Sequence, residues 1–237
     1  MTTLTYGKSF AFFAFKVTKV NRLRLIDNKE CKVKANGIKI KKIGVKSSIP
    51  GLTTNCFVIW KKGLAVVVDP GGEGEKISRF LKRNKLEVGA YWLTHGHPDH
   101  VGGLSKLLND FPAPVRYHRA DSPWIKSLSC IPFVSFPNKE WLRSFGAIRK
   151  IACGDIVAKV ILTPGHSSGS VCYWFEELGV LLTGDTIQRG MIGLTCFPGG
   201  NEGKLETSIQ KIYSKVPQET KILPGHGSAT TVGRESC

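Results

Sequence analysis

The chain has 237 residues, 41% hydrophobic and 22% charged, with seven cysteines and a formal net charge of +16. This is the composition of a globular protein long enough to bury a substantial core, which excludes fibrous and wholly disordered classes. No run approaches the roughly twenty apolar residues that span a bilayer, and the odd cysteine count lacks a disulfide-framework spacing, so the expected setting is reducing and cytoplasmic.

The charge is unevenly placed. Residues 1–50 hold twelve Lys/Arg against two acids, a net +10, and the remaining 187 hold twenty-two against sixteen, a net +6. Residues 1–37 are expected to form a basic N-terminal extension, partly disordered, and residues 38–237 a folded domain. A basic surface attracts phosphates and anionic membranes without specifying either. Nucleic acid is therefore an alternative partner, not the favoured one. Residues 9–17 hold four phenylalanines, so organelle targeting is the alternative to a cytoplasmic location.

In chain order, residues 38–45, 56–60 and 64–68 read as strands, with hairpin-like turns at Pro50-Gly51 and Lys61-Lys62-Gly63. Residues 75–85 read as an amphipathic helix, with Ile77, Phe80 and Leu81 on one face. Residues 90–93 form a strand, residues 100–111 a helix with Leu104, Leu107 and Leu108 inward, and residues 115–118 a short strand. Residues 121–150 are irregular and aromatic, including Trp124, Phe133, Phe136, Trp141 and Phe145. A second run of strands is expected at 157–162, 171–175, 180–182 and 221–223, with a helix at 205–216 carrying Leu205, Ile209 and Ile212.

One string dominates the chemistry: Thr94-His95-Gly96-His97-Pro98-Asp99-His100. Imidazole nitrogen and carboxylate oxygen are the common ligands of zinc and non-haem iron. Gly96 and Pro98 make the segment a loop, so its side chains can converge free of helical or strand spacing. Three further candidates sit in tight glycine-containing turns after apolar runs. They are His166 in Thr163-Pro164-Gly165-His166, Asp185 in Thr183-Gly184-Asp185-Thr186, and His226 in Leu223-Pro224-Gly225-His226-Gly227. Functional loops on a rigid scaffold tend to lie at such strand ends. His118 lacks this setting and reads as structural or surface. The serines after His166 read as turn and capping residues. Such a set of N/O donors suits a metal site with open positions for water and substrate, whereas a closed structural site fills four positions and favours cysteine.

These strings, with Val68-Asp69-Pro70-Gly71-Gly72 and Phe197-Pro198-Gly199-Gly200, resemble the metallo-β-lactamase superfamily. The nearest likeness is to its short glyoxalase II-like branch, the hydroxyacylglutathione hydrolases and their relatives. The resemblance implies a four-layered αββα sandwich in a single domain, an α/β fold. It implies two metal ions, Zn2+ first and iron or manganese as alternatives. His95, His97 and His166 would hold one, Asp99, His100 and His226 the other, and Asp185 would bridge them. Asp99 and Asp185 are the carboxylates expected to take part in catalysis, and Asp69 would orient ligands from behind. The implied reaction is attack of an activated water on a small thioester or ester. The variants to weigh are a mononuclear iron persulfide dioxygenase using His95, His166 and Asp185, and an RNA- or phosphodiester-processing nuclease.

Two departures from the branch are visible. Classical members add a C-terminal helical region that helps to hold glutathione, and this chain continues only eleven residues past His226 (237 − 226 = 11). Short relatives carry arginine and aspartate where this chain has Leu194 and Cys196. Cys196 reads as a small, half-buried residue, with an accessory metal or redox role as the alternative. The letters leave the oligomeric state open.

Overall fold

Strands of β-branched and aromatic residues build two sheets, and because both faces are covered the inner strands are near-continuous buried runs. The computed structural model describes residues 37–47, 49, 51–127 and 139–237. The expected N-terminal extension therefore lies outside the described residues, apart from Gly37.

The first sheet has six strands in sequence order: β1 (Lys39–Lys46), β2 (Thr53–Lys61), β3 (Leu64–Val68), β4 (Glu87–Trp92), β5 (Val115–His118) and β6 (Leu142–Phe145). β1 to β3 are antiparallel and β3 to β6 parallel. The second sheet contains β7 (Lys150–Cys153), β8 (Ile156–Leu162), β9 (Val171–Phe175), β10 (Val180–Gly184), β13 (Lys221–Pro224) and β14 (Thr230–Thr231). Its spatial order is β14-β13-β10-β9-β8-β7, with β10 parallel to β13. Between β10 and β13 the chain makes a small hairpin, β11 (Ile187–Gln188) and β12 (Met191–Ile192).

Side-chain alternation sorts the core into three layers. In β3, Val66 and Val68 face the second sheet and meet Phe57, Trp92, Tyr173 and Phe175. The ring of Trp92 stacks on Phe175 at 6.3 Å between centroids. Ala65 and Val67 face the other way, onto α1 (Gly74–Arg83) and α3 (Leu104–Asp110), through Ile77, Leu81 and Leu107. On the far side of the second sheet, Cys172, Trp174 and Leu181 pack under α5 (Glu202–Lys215) through Leu205, Ile209 and Ile212. The stack is αββα, one domain, as the resemblance implies.

Three expected elements differ. The helix read at 100–111 is split into α2 (Pro98–Val101) and α3. The break falls at Gly103, whose N–H donates to Pro70 O at 2.7 Å. A Cβ there would lie 2.8 Å from the same oxygen, so only glycine allows the approach. The stretch read as irregular, 121–150, contains α4 (Ser122–Ser127) and strand β6. The helix at the C-terminal side begins three residues earlier than read, because the Asn201 side chain accepts from Lys204 N at 2.9 Å and caps it.

Candidate metal centre

The loops that carry the sequence candidates all leave the sheets at one edge. Asp69 follows β3, and His95 to His100 follow β4 and enter α2. His166 lies between β8 and β9, Asp185 follows β10, and His226 follows β13. The two parallel pairs, β3–β4 and β10–β13, deliver Asp69, the histidine cluster, Asp185 and His226 from strand C-terminal ends.

The turns are clamped to one another across the sheets. Tyr173 Oη donates to Leu93 O at 2.7 Å and Val171 N to Thr94 O at 2.8 Å, so the second sheet holds the first histidine loop. In return Asn55 on β2 donates from Nδ2 to Pro224 O and Gly227 O, each at 2.9 Å, and its N–H reaches Gly225 O at 2.7 Å. Gly225 has no room for a side chain: a Cβ would strike Asp185 Oδ1 and His100 Cε1.

All seven candidate residues converge. Three groups of donor atoms lie within 4.8 Å of one another: His95, His97 and His166; His95, His100 and Asp185; and Asp99, His100 and His226. The Nε2 atoms of His95 and His166 face each other at 3.2 Å, and those of His100 and His226 at 3.4 Å. His226 Nε2 is 3.2 Å from Asp99 Oδ2 and 3.3 Å from Asp185 Oδ2. His100 Nε2 is 3.4 Å from Asp185 Oδ1, and His166 Nε2 is 3.7 Å from Asp185 Oδ2. Asp185 thus touches both groups.

The residues fit a cation in each group. Ligand atoms about 2.05 Å from a tetrahedral zinc stand about 3.3 Å apart, close to the 3.2 Å between His95 and His166 and the 3.4 Å between His100 and His226. The tautomers agree. His166 Nδ1 meets Leu194 O at 2.6 Å and His226 Nδ1 meets Thr53 O at 2.9 Å. A carbonyl only accepts, so each Nδ1 carries its hydrogen and Nε2 is left as the atom that faces the centre. Behind His95, Thr94 Oγ1 donates to Asp69 Oδ2 at 2.6 Å and stands 3.1 Å from His95 Nδ1. Asp69 Oδ2 also lies 3.0 Å from His100 Nδ1. Within the centre, His97 Nε2 and Asp185 Oδ1 are among the buried side-chain atoms without a hydrogen bond.

The two groups differ in charge. Burial pushes His95 well down, reinforced by the neighbouring imidazoles, and pushes His97 down to about 3. His166 is also lowered by burial, although Asp185 opposes the shift. Burial opposes the proton on His226 too, but hydrogen bonds to Asp185 and Asp99 outweigh it and set that ring at about 10. His100 is raised against burial by Asp99, Asp185 and Asp69. Burial resists the charge of Asp185, and His100 overcomes it, holding the carboxyl well below the usual range.

Sequence reasoning missed one strut. Asp121 is fully buried. Its Oδ2 accepts from Gly96 N and Ser167 Oγ, both at 2.8 Å, and its Oδ1 accepts from Gly169 N at 2.6 Å. It therefore ties the His95–His97 turn to the His166 turn. Burial raises its pKa, and these three donors work against the rise. Two aromatics also lie against the centre: the rings of Trp124 and Phe197 stand 4.5 and 5.4 Å from that of His97. His118 lies outside the cluster and caps a turn, its Nδ1 accepting from Ala120 N. Cys196 is exposed, not half-buried, as are its neighbours Leu194 and Phe197 on the same surface segment.

Residues 49–226 match the family profile described as the metallo-beta-lactamase superfamily. The chain belongs to that superfamily. The family fold implies a dinuclear site with His/Asp clusters and supports a metallo-hydrolase. A curated relative, hydroxyacylglutathione hydrolase GloC of Haemophilus influenzae, is 32% identical over 190 residues, covering 76% of this chain and 89% of its own. Among solved structures, BLEG-1 B3 metallo-beta-lactamase is similar with a TM-score of 0.73 and 32% identity, over 83% of this chain and 95% of that one. TTHA1623, solved in a di-iron-bound form, has a TM-score of 0.69 and 30% identity, over 79% of this chain and 94% of that one.

Proposed function

We propose that residues 38–237 form a dinuclear metallo-hydrolase domain that cleaves small thioesters or esters, in the manner of the glyoxalase II-like branch. The observation that carries the reading is the convergence of seven N/O donors into three overlapping groups, with Asp185 within 3.7 Å of His100, His166 and His226. His95, His97 and His166 hold the first cation, Asp99, His100 and His226 the second, and Asp185 spans both. Zn2+ suits this imidazole and carboxylate set, and iron or manganese is accepted by the same donors. Two cations held there would supply Lewis acidity and would lower the pKa of a bound water from about 15.7 toward neutrality.

The protein's own groups divide the remaining work. Asp99 and Asp185 keep side-chain exposures of 9% and 10%, whereas Asp69 keeps 2%. The first two are therefore the carboxylates nearest the opening of the centre, placed to orient a reacting water. Asp69 serves only to orient Thr94, His95 and His100. The five described cysteines are free thiols, which supports a reducing cytoplasmic setting. No helix among the described residues is long and apolar enough to cross a membrane.

The test pairs metal quantification with a panel of thioesters including S-lactoylglutathione, simple esters and phosphodiesters. Thioester or ester turnover that chelation abolishes is the expected result. Turnover of phosphodiesters alone would replace this reading with a nuclease. The iron dioxygenase reading draws on the di-iron form of a relative and on the facing of His95, His166 and Asp185 at 3.2 and 3.7 Å. Oxygen uptake with a persulfide and iron, in the absence of thioesterase activity, would establish it instead.

A further inference from the structure

The surface beside the first histidine group is apolar to a degree unusual for this protein. Met191, Ile192, Leu194 and Phe197 are 61%, 49%, 65% and 44% exposed, and they share one short segment. Isolated exposed apolar residues mean little, but a contiguous set marks a binding surface. This segment is fastened to the centre: Leu194 O meets His166 Nδ1 at 2.6 Å, and the Phe197 ring lies 5.4 Å from His97 and 6.4 Å from His166. Across from it Trp124 packs on His97 at 4.5 Å and donates from Nε1 to Pro198 O at 2.9 Å. Trp124 and Pro198 also wall a cavity of about 340 Å³, with Ala120, Pro123, Ser127 and Gly199 among its lining. No charged side chain lines it among the described residues.

The other end of the centre is polar. Lys42 Nζ lies 3.4 Å from Gly227 O, beside His226. An extended substrate lying across the two groups therefore meets a cation at the His226 end and an apolar wall at the His97 end.

Resting on the hydrolase reading above, we propose that the Trp124–Pro198 cavity with its Leu194–Phe197 rim is an acyl subsite. It takes the straight aliphatic chain of an acyl thioester, with the anionic side of the molecule toward Lys42. The cavity has the volume of about eleven waters at about 30 Å³ each, enough for a chain of roughly four to eight carbons. A polar acyl group such as lactoyl leaves this wall wet and gains nothing from it.

The test uses the full chain loaded with Zn2+. Dissociation constants for straight-chain carboxylates from acetate to octanoate are measured by calorimetry. In parallel, kcat/KM is measured for the matching acyl thioesters of N-acetylcysteamine. Affinity and kcat/KM are expected to rise about two- to fourfold per methylene, up to the size of the cavity, since a fully buried methylene is worth about fourfold. Ser127→Asp, which puts a carboxylate on the cavity wall, and Phe197→Ser should each flatten the rise. The readout is the hexanoyl-to-acetyl ratio within each protein, so an overall loss of activity cancels. Inert thioesters with climbing carboxylate affinities would sink the hydrolase reading and leave the subsite standing. Active thioesters with a flat length dependence in both measurements would overturn the subsite alone. A dimer that buries this segment, with Leu194→Asp producing monomers of unchanged chain-length dependence, would also overturn it.

Discussion

The two halves of the candidate metal centre are made of different chemistry. His95, His97 and His166 form an all-imidazole group backed by aromatic rings. Burial strips its protons, leaving lone pairs ready for a cation. Asp99, His100 and His226 alternate carboxylate with imidazole, and Asp69 adds a further carboxylate behind. That half keeps its protons, and a cation must displace them. The difference teaches that one fold edge can present a neutral pocket and a charge-compensated one side by side. Asp185 is the only carboxylate in the described cluster that faces both.

The comparison can be broken most severely at the shared residue. Asp185→Asn should cut turnover by orders of magnitude while circular dichroism and the thermal midpoint stay near those of the parent. Near-normal activity in that variant would remove the bridging role. One step down, His97→Ala and His226→Ala should each lower the metal content from two ions to one, from opposite halves. If either variant loses both ions, the halves are not independent sites.

Next in size is the pH dependence. In the metal-free protein His226 holds a proton up to about 10. A cation entering that half releases it, so affinity there falls as pH falls, by up to about tenfold per unit for one proton. His97 titrates near 3, so the first half should bind equally well at pH 6 and pH 8. Calorimetric metal titrations at those two values should show one phase that moves and one that does not; two phases moving together would contradict the contrast.

Asp121→Ala should affect the first half and the overall stability together. It leaves Gly96 N, Gly169 N and Ser167 Oγ without their buried acceptor. Each orphaned donor costs about 1–3 kcal/mol, so denaturant unfolding should register a loss of at least about 2 kcal/mol. Asp121→Asn should recover part of it. The smallest effect is expected from Thr94→Val, which cuts the link from Asp69 to His95. Metal affinity at the first half should fall about 10-fold, at the low end for ligand-orienting groups; no change would show that Asp69 does not act through Thr94.

How much of this was legible in the letters follows from how local each signal is. β3 could be read because a run of valines ends at Asp69-Pro70-Gly71, and the His95–His100 loop because its donors are adjacent in sequence. His166, Asp185 and His226 could be read because each follows an apolar strand and sits in a glycine turn. Their clustering needed the resemblance, since the residues are far apart in the chain. Asp121 gave no signal: a single aspartate in a turn looks like a cap, and its backbone partners lie 25 and 48 residues away. The break before α3 was hidden for the same reason, because its cause is the carbonyl of Pro70 rather than anything in the helix itself. β6 escaped because it is an edge strand with little buried surface and no clean alternation.

The most direct measurement is elemental analysis of the purified, dialysed full-length protein, with thioesterase activity followed through chelation and reloading. The account predicts two ions per chain, activity lost with them and restored by Zn2+. One ion or none per chain in a protein that still turns over its substrate undiminished would contradict it.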